Sequence, residues 1–430
     1  LDVTFPIDIF YLAYQNHFDD RSILEDHAAS LSKIEGIVNK SFNRIDQLNN
    51  LSKRTKIRIG ICSDFLYQHT IGLFFTNLIS DLASSGIEII IFRGPSSKKD
   101  ELSKKIDSFV SESIDLPKSH NEGCKTILSK SLDILFYPDL GMSSYTYLLS
   151  LSRLALIQVT SVGHPNTSGS PMIDYYISSK DLETSFSNNY YSEKLIRLSR
   201  LTCNHSKREI INSTFRRSSL NLPENTFLIG LPHSLFKIHP DYDDILEQIL
   251  KEIPNSFLFL INDSNYDNTE RFKSRWKKKE GLLLNRSIFH PRVNRCDFLE
   301  IIKSVDIVLD PIYFGMGNTF YDSMQFGTPV VTMPNDFHRT RNCFAGYKQM
   351  DIKNAPIASN KEEYIILCKK LAYETEYRDH IISQIINKSK KYLFNDHYIY
   401  KEYIDFFVAS INSAKEGKLL DSNWTPKESI

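Results

Sequence analysis

Apolar residues along the 430-residue chain fall into two repeating regimes. Up to about residue 50 they recur three and four apart, as in IFYLAYQNHF (9–18) and RSILEDHAASLSKI (21–34), the spacing of one helical face. From Lys56 the pattern changes. KIRIGICSDF is a short β-rich run ending in a polar turn, and IGLFFTNLISDLASSG behind it has helical spacing. IEIIIF, LDILFYP and LIQVTSV then read as strands, and ELSKKIDSFV, GCKTILSKS and TYLLSLSRLA as helices. Strands alternating with helices at this spacing predict βαβ units and a parallel sheet.

A less regular stretch follows over roughly 180–225, and the alternation then restarts. Strands are predicted at FLIGLP, FLFLI, SIFHP, DIVLDP and PVVTMP, with helices over 240–252, 268–280, DFLEIIKSV and from about 317. Two runs of this kind imply two doubly wound α/β domains facing each other. Residues 360–414 read as helical, with apolar Tyr364, Ile365, Leu367 and Leu371, and AKEGKLLDSNWTPKESI reads as a polar tail. The expected division is a helical segment 1–52, a first lobe 53–225, a second lobe 226–414 with a closing helix, and the tail 415–430. A chain this long exceeds one ordinary core, at ~100–200 residues per domain.

Charge removes several classes of function. Lys+Arg and Asp+Glu both number 52, so the net charge is zero and no basic field is available for nucleic acid. No stretch approaches the ~18 apolar residues of a membrane span. The start, LDVTFPIDIF, lacks the basic leader and apolar core of a signal peptide. Six cysteines are scattered without a CxxC or paired spacing, which suits reduced thiols in a cytoplasmic protein better than disulfides or zinc. No repeat of 20–50 residues is visible in this stretch, so a repeat array for docking a protein acceptor is not expected from it.

Open α/β sheets bind ligands beyond the carboxyl ends of their strands. The most informative such loop is LDPIYFGMGNTFYDSMQFGTPVV (309–331). A strand ends at Asp310, a glycine-containing loop follows, and a helix begins near Asn318 and Thr319. Amide groups at a helix start, with the helix dipole behind them, suit a diphosphate. Asp322, one turn in, could accept from a ribose diol; equally, Asn318 or Thr319 could be a plain N-cap and Asp322 a dipole partner. Lys237 in PHSLFKIHP lies at the equivalent edge and could neutralise a leaving diphosphate, or be a solvated lysine. His69 in SDFLYQHTIGLFF could orient a hydroxyl or take its proton, beside the GHPNTSGSP loop, Gly163–Pro171. Asp241 and Asp243 have a carboxylate-x-carboxylate spacing, but at a helix start two acids are expected for capping, so no metal site is assigned. RFKSRWKKK (271–279) reads as a solvated helix face.

Five motifs, in order, resemble glycosyltransferase family 41. They are IRIGICSDFLYQHTIGLFF, LDILFYPDLGM, LIQVTSVGHPNTSGSPMIDYYISS, HSLFKIHPDYDDILEQILKEIPNS and FHPRVNRCDFLEIIKSVDIVLDPIYFGMGNTFYDSMQFGTPVVTMP. The family holds the O-linked N-acetylglucosamine transferases, bacterial SPINDLY-type relatives and adhesin N-glucosyltransferases. YLAYQNHFDDRSI resembles the N-terminal helical segment of bacterial members. The resemblance implies a GT-B architecture: two Rossmann-like lobes, a cleft, and a C-terminal crossover helix returning to the first lobe. It implies an inverting, metal-independent and cofactor-free transfer from a UDP-sugar donor to a protein or peptide acceptor, a Ser/Thr hydroxyl before Asn. Lys237 then falls on the diphosphate lysine, Asn318 and Thr319 on the phosphate-binding helix start, Asp322 on the ribose aspartate and Arg295 near the uracil. Gly163 and His164 fall beside the sugar, and His69 on the first lobe's cleft histidine. Animal members carry histidine where Gly317 stands and glutamine where Ser234 stands, so the sugar, GlcNAc or a hexose, stays open. So do two other readings: a glycan or small-molecule acceptor, and a non-catalytic UDP-sugar-binding protein.

Overall fold

The structure, a computed structural model, describes residues 8–15, 18–277 and 281–427. The chain forms two compact units. One comprises Leu1–Leu12, Phe18–His205 and Asn395–Ile430; the other comprises Ala13–His17 and Ser206–Phe394.

The first unit is built on seven parallel strands: β1 (Arg58–Cys62), β2 (Glu88–Arg93), β3 (Glu112–Asp115), β4 (Ile134–Tyr137), β5 (Ile157–Ser161), β6 (Tyr175–Ser179) and β7 (Lys194–Leu198). Their spatial order is β3-β2-β1-β4-β5-β6-β7, with Ile59 in register with Ile89 on one side and Ile134 on the other. β4, β5 and β6 are buried along their whole length, which accounts for their near-continuous apolar runs. Helix Thr70–Ser84 lays Ile71, Phe74, Phe75, Leu78, Ile79 and Leu82 into the core, the three-and-four spacing read from the sequence.

Three departures from expectation concern this unit. β3, β6 and β7 were not anticipated. β3 is a mostly exposed edge strand with no apolar run, while β5, β6 and β7 are joined by segments that contain no α-helix, so the alternation that marks the other strands is missing. The N-terminal segment is no separate domain: Phe10, Leu24, Ala28, Leu31 and Ile37 share a cluster with Tyr147, Leu148 and Leu151. The closing helix, Ile399–Lys415, packs on this unit as the crossover helix implied by the resemblance would, burying Tyr403, Phe406, Phe407 and Ile411 while Glu402 accepts from the Ser199 amide at 2.7 Å. The described part of the tail is anchored too: the Leu420 amide donates to the Tyr175 hydroxyl at 2.7 Å, and Trp424 packs edge-on to Phe406.

The second unit carries five parallel strands: β8 (Phe227–Leu231), β9 (Ser256–Ile261), β10 (Ser287–His290), β11 (Ile307–Leu309) and β12 (Val330–Val331), ordered β10-β9-β8-β11-β12. Ile245, Leu246, Ile249 and Leu250 of helix Asp243–Glu252 join Leu258, Leu260, Ile307 and Leu309 in its core. The unit starts at Ser206, not at residue 226, because the stretch 206–225, expected in the first lobe, is tied to it. Buried Asp297 accepts from the Thr214 amide at 2.6 Å, the Phe215 amide at 3.0 Å and the Ser213 hydroxyl at 2.8 Å. These bonds hold its carboxyl down to about 2. Arg217 meanwhile bonds the Asp306 carboxylate at 2.9 Å.

Nor is the basic run wholly solvated. Within helix Tyr266–Lys277, Phe272 and Trp276 are buried, and Arg275 and the Trp276 indole both donate to Asp243 at 2.8 Å; Lys278 and Lys279 lie outside the described residues. Asp243 is thus a structural acceptor, and Asp241 accepts from the Tyr313 hydroxyl at 2.7 Å. Among the described residues no helix is long and apolar enough to cross a membrane, and all six cysteines are free thiols.

Candidate functional site

In each sheet the strand order turns back beside the first strand, between β1 and β4 and between β8 and β11. Loops leaving adjacent strands part in opposite directions at such a point and leave a crevice at the carboxyl edge. The predicted residues gather at these two places.

In the second unit, β8 runs into Pro232–Ser234 and the 3₁₀ turn Leu235–Lys237, while β11 runs into Asp310 and the loop before helix Asn318–Phe326. Asp310 organises that loop. It is buried, and its two oxygens accept from the Met316 amide and the Thr332 hydroxyl, each at 2.7 Å. Gly315 passes so close that an added Cβ would stand 2.9 Å from the Asp310 carboxylate, so the loop closes over the acid only with glycine there. Burial lifts the Asp310 carboxyl to about 6, opposed by those two bonds and by Lys237.

Lys237 is half-buried. Its ammonium lies 4.6 Å from the Phe314 ring centroid and 5.7 Å from that of Tyr14, and no described carboxylate comes within ion-pair distance. Burial lowers its pKa to about 8, with Asp310 pulling the other way. His233, at the end of β8, bonds the Leu309 carbonyl through Nε2 at 2.8 Å, and burial brings it down to about 4, so it is neutral at pH 7. The site therefore presents the Lys237 cation on the β8 side with no acid paired to it among the described residues.

Helix Asn318–Phe326 is preceded by Gly317, and no side chain caps its amides. The N-cap reading of Asn318 and Thr319 therefore does not describe the structure. Asn318 instead accepts from Arg208 at 3.1 Å, and Thr319, half-buried, lies beside it. Uncapped amides at a helix start with the dipole behind them form an anion site. Arg295 opens the next helix back, Arg295–Ser304, and donates to both oxygens of Asp322, at 2.9 and 3.0 Å. Arg208 reaches the same carboxylate at 3.1 Å. Asp322 is 2% exposed and clasped by two guanidinium groups; burial raises it to about 6 against the pull of Arg295. Sequence reasoning missed Arg208, Asp310, His233 and Tyr14, because their importance lies in the partners that folding brings to them.

At the first unit's crevice, His69 caps helix Thr70–Ser84, its Nδ1 accepting from the Ile71 amide at 3.3 Å. Its ring is flanked by Phe65 and Tyr67, at 4.7 and 5.7 Å. Burial, then Lys98, lower its pKa, so the ring is neutral at pH 7 and its proton sits on Nε2. In that state the ring offers a donor; to take a proton at Nδ1 it would have to release the cap. Gly163 donates to the Pro138 carbonyl at 2.9 Å, and an added Cβ would stand 2.3 Å from that oxygen, so only glycine lets the two loops meet. His164 is buried edge-on to Phe10 at 5.5 Å, and its carbonyl accepts from the Tyr176 hydroxyl at 3.1 Å. The loop beyond is pinned by Glu193, which bonds the Thr167 hydroxyl at 2.6 Å and the Ser168 amide at 2.8 Å.

Beneath these loops lie two buried carboxylates at the ends of β1 and β4, Asp64 and Asp139. Asp139 accepts from the Ser63 hydroxyl at 2.6 Å through Oδ2, while Oδ1 has no hydrogen-bond partner among the described residues. Burial lifts Asp139 to about 7, and Asp64 adds to the rise. A carboxyl raised above its unfolded value of 3.8 favours the native state when protonated, and that contribution is lost as the pH rises through about 7. Asp139→Asn should therefore raise the melting temperature at pH 8, with a gain that shrinks toward pH 5; thermal scans across that range check it. An equal effect at all pH values would show that the carboxylate is not the source.

The family model of glycosyl transferase family 41 matches residues 199–404. The chain is 22% identical over 320 residues to a probable UDP-N-acetylglucosamine--peptide N-acetylglucosaminyltransferase SEC of Arabidopsis thaliana, covering 72% of this chain and 32% of that protein. It is 24% identical over 266 residues to a UDP-glucose:protein N-beta-glucosyltransferase of Actinobacillus pleuropneumoniae, covering 61% of this chain and 42% of that one. It thus spans 32% to 42% of the length of these relatives. Among solved structures, an O-GlcNAc transferase mutant of Thermobaculum terrenum superposes with a TM-score of 0.79 at 20% identity, covering 94% of this chain and 76% of that one. A sucrose-phosphate synthase of Thermosynechococcus elongatus follows at 0.52 and 13%, covering 83% and 100%. The likeness in structure establishes the GT-B fold of two Rossmann-like units, and residues 199–404 of the chain match the model of glycosyl transferase family 41.

Proposed function

We propose that the chain is a glycosyltransferase moving GlcNAc or a hexose from a UDP-sugar to a protein side chain, a Ser/Thr hydroxyl before Asn, without metal. The observation that carries this reading is the unpaired Lys237 ammonium at the same crevice as the uncapped start of helix Asn318–Phe326. An acceptor oxygen forms a bond to the anomeric carbon as the bond to the diphosphate breaks, and the acceptor's proton departs. Inversion follows from attack opposite the leaving group. The departing UDP gains negative charge, and a preorganised cation and fixed amides stabilise it at no reorganisation cost. Arg208 and Arg295, clasped by Asp322, frame the nucleoside end, and His69 offers an Nε2–H donor on the first unit. Relatives named for transfer from UDP-sugars to peptide or protein support the same donor and acceptor classes. A cytoplasmic setting accords with the six free thiols.

Intact-mass spectrometry of candidate acceptors incubated with UDP-GlcNAc or UDP-glucose tests transfer, reporting sugar and acceptor together. No mass gain on any polypeptide, with the sugar appearing on a glycan as UDP is released, would move the reading to a glycan acceptor. Calorimetry with UDP in excess EDTA tests the metal: binding should persist under chelation. Its pH dependence tests the lysine. With Lys237 at about 8, affinity should hold below that pH and fall above it as the ammonium is lost. Affinity that stayed flat across about pH 7 to 9.5 would remove Lys237 from the diphosphate.

A further inference from the structure

Lys237 stands against two aromatic rings, one of which comes from far away in sequence. Tyr14, on the short helix Leu12–Gln15, lies with its ring 4.0 Å from Phe314, tilted by 31°, and 5.0 Å from Phe236 at 89°. The neighbouring Gln15 amide reaches the Phe236 carbonyl at 3.4 Å. The Lys237 ammonium lies over the Phe314 ring at 4.6 Å and over Tyr14 at 5.7 Å. A lysine side chain is a flexible four-carbon stem, and fixing its charge in one place needs a partner. No described acid lies within ion-pair distance to do this, whereas aromatic faces attract an ammonium and leave its charge uncancelled. Phe314 is itself held by the loop that Asp310 organises.

We infer that Tyr14 is a positioning residue for Lys237: its ring completes, with Phe314, an aromatic clamp that aims the ammonium into the crevice. That the target is a diphosphate rests on the function proposed above; the clamp does not. Among the described residues, the other charged or titratable groups that act on the lysine are Asp310 from the end of β11 and His233 from the end of β8. Both stay in place when Tyr14 is changed.

Three substitutions separate a clamp from mere packing. Tyr14→Ala opens the amine to water. Tyr14→Leu keeps apolar cover but removes the π face, and Tyr14→Phe keeps ring and face. The probe is acetic anhydride, with acylation of Lys237 followed by peptide mass spectrometry over pH in the ligand-free 430-residue chain. UDP calorimetry and the kcat and KM of transfer are measured alongside. The acylation midpoint should rise in Tyr14→Ala, fall in Tyr14→Leu, and match the parent in Tyr14→Phe. In the first two, kcat should drop about tenfold with little change in KM, since a misaimed group costs rate before affinity. Parental midpoint and kcat in folded Tyr14→Leu, or a Tyr14→Phe as impaired as Tyr14→Ala, would overturn the clamp. If Tyr14→Ala fails to fold, Tyr14→Leu against Tyr14→Phe decides. If the parent binds no UDP yet the midpoints move as stated, the clamp stands and the transferase reading falls.

Discussion

Lys237→Ala should lower kcat by about 10²–10³, the ~2.7–4 kcal/mol lost when one preorganised stabiliser of developing charge is removed. KM for the UDP-sugar should rise less than kcat falls. The ground-state diphosphate is already bound by the amides ahead of helix Asn318–Phe326, whereas the extra charge appears only as the sugar leaves. Folding should be nearly unaffected. The mutation forfeits attraction to two rings, worth roughly 0.5–2 kcal/mol, but also relieves an ammonium whose burial is costly enough to lower its pKa to about 8. Lys237→Arg should not rescue the rate, since a planar guanidinium does not occupy the clamp as a compact ammonium does. Single-turnover kinetics with a melting curve for each variant make the comparison. A parental rate in a folded alanine variant would make Lys237 a surface lysine after all.

Much of this site was legible because its loops follow strands that are themselves legible. β8 and β11 are apolar runs, so the turns after Leu231 and Leu309 could be placed at a sheet edge and their Lys237 and Asn318 read as candidates. The less regular stretch 180–225 hid Arg208, which has no periodic neighbours and matters only through contacts with Asn318 and Asp322, 110 and 114 positions on. Tyr14 was hidden for the opposite reason: in a helical stretch rich in aromatics, one more ring carries no signal until folding sets it on Phe314. His164, which the resemblance places beside the sugar, is packed edge-on against Phe10, a contact that its loop motif does not announce. Spacing reports which residues share an element; it does not report which distant groups neutralise one another.

That distinction changes the expected outcome for Asp322. A carboxylate reserved for a ribose diol would be dispensable for folding, and Asp322→Ala would appear in KM alone. In the structure it is buried between Arg208, whose side chain is 13% exposed, and Arg295, 37% exposed. Burial outweighs the pull of Arg295, so the carboxyl is raised to about 6 and ionising it gains little from its surroundings. Removing the acid alone is another matter, because it leaves Arg208 largely desolvated with no carboxylate partner. Stranding one member of a buried pair costs about 3–5 kcal/mol, and the partial exposure of the arginines brings this case to the bottom of that range or just below it. Asp322→Ala should therefore shift the urea midpoint downward by an amount worth roughly 2–3 kcal/mol and weaken UDP binding, as both arginines lose their anchor. Asp322→Asn, which keeps an acceptor for one guanidinium, should lie between parent and alanine. The pH dependence carries a sign of its own. The native state favours the protonated acid, so its contribution to stability declines as the pH rises from 3.8 through about 6. The parent's excess over the asparagine variant should therefore be greater near pH 4 than near pH 7. Urea titrations at both pH values, with calorimetry for UDP, test the assignment. Parental stability in the alanine variant, with UDP affinity lost, would return Asp322 to direct contact with the ribose and leave the two arginines held by something else.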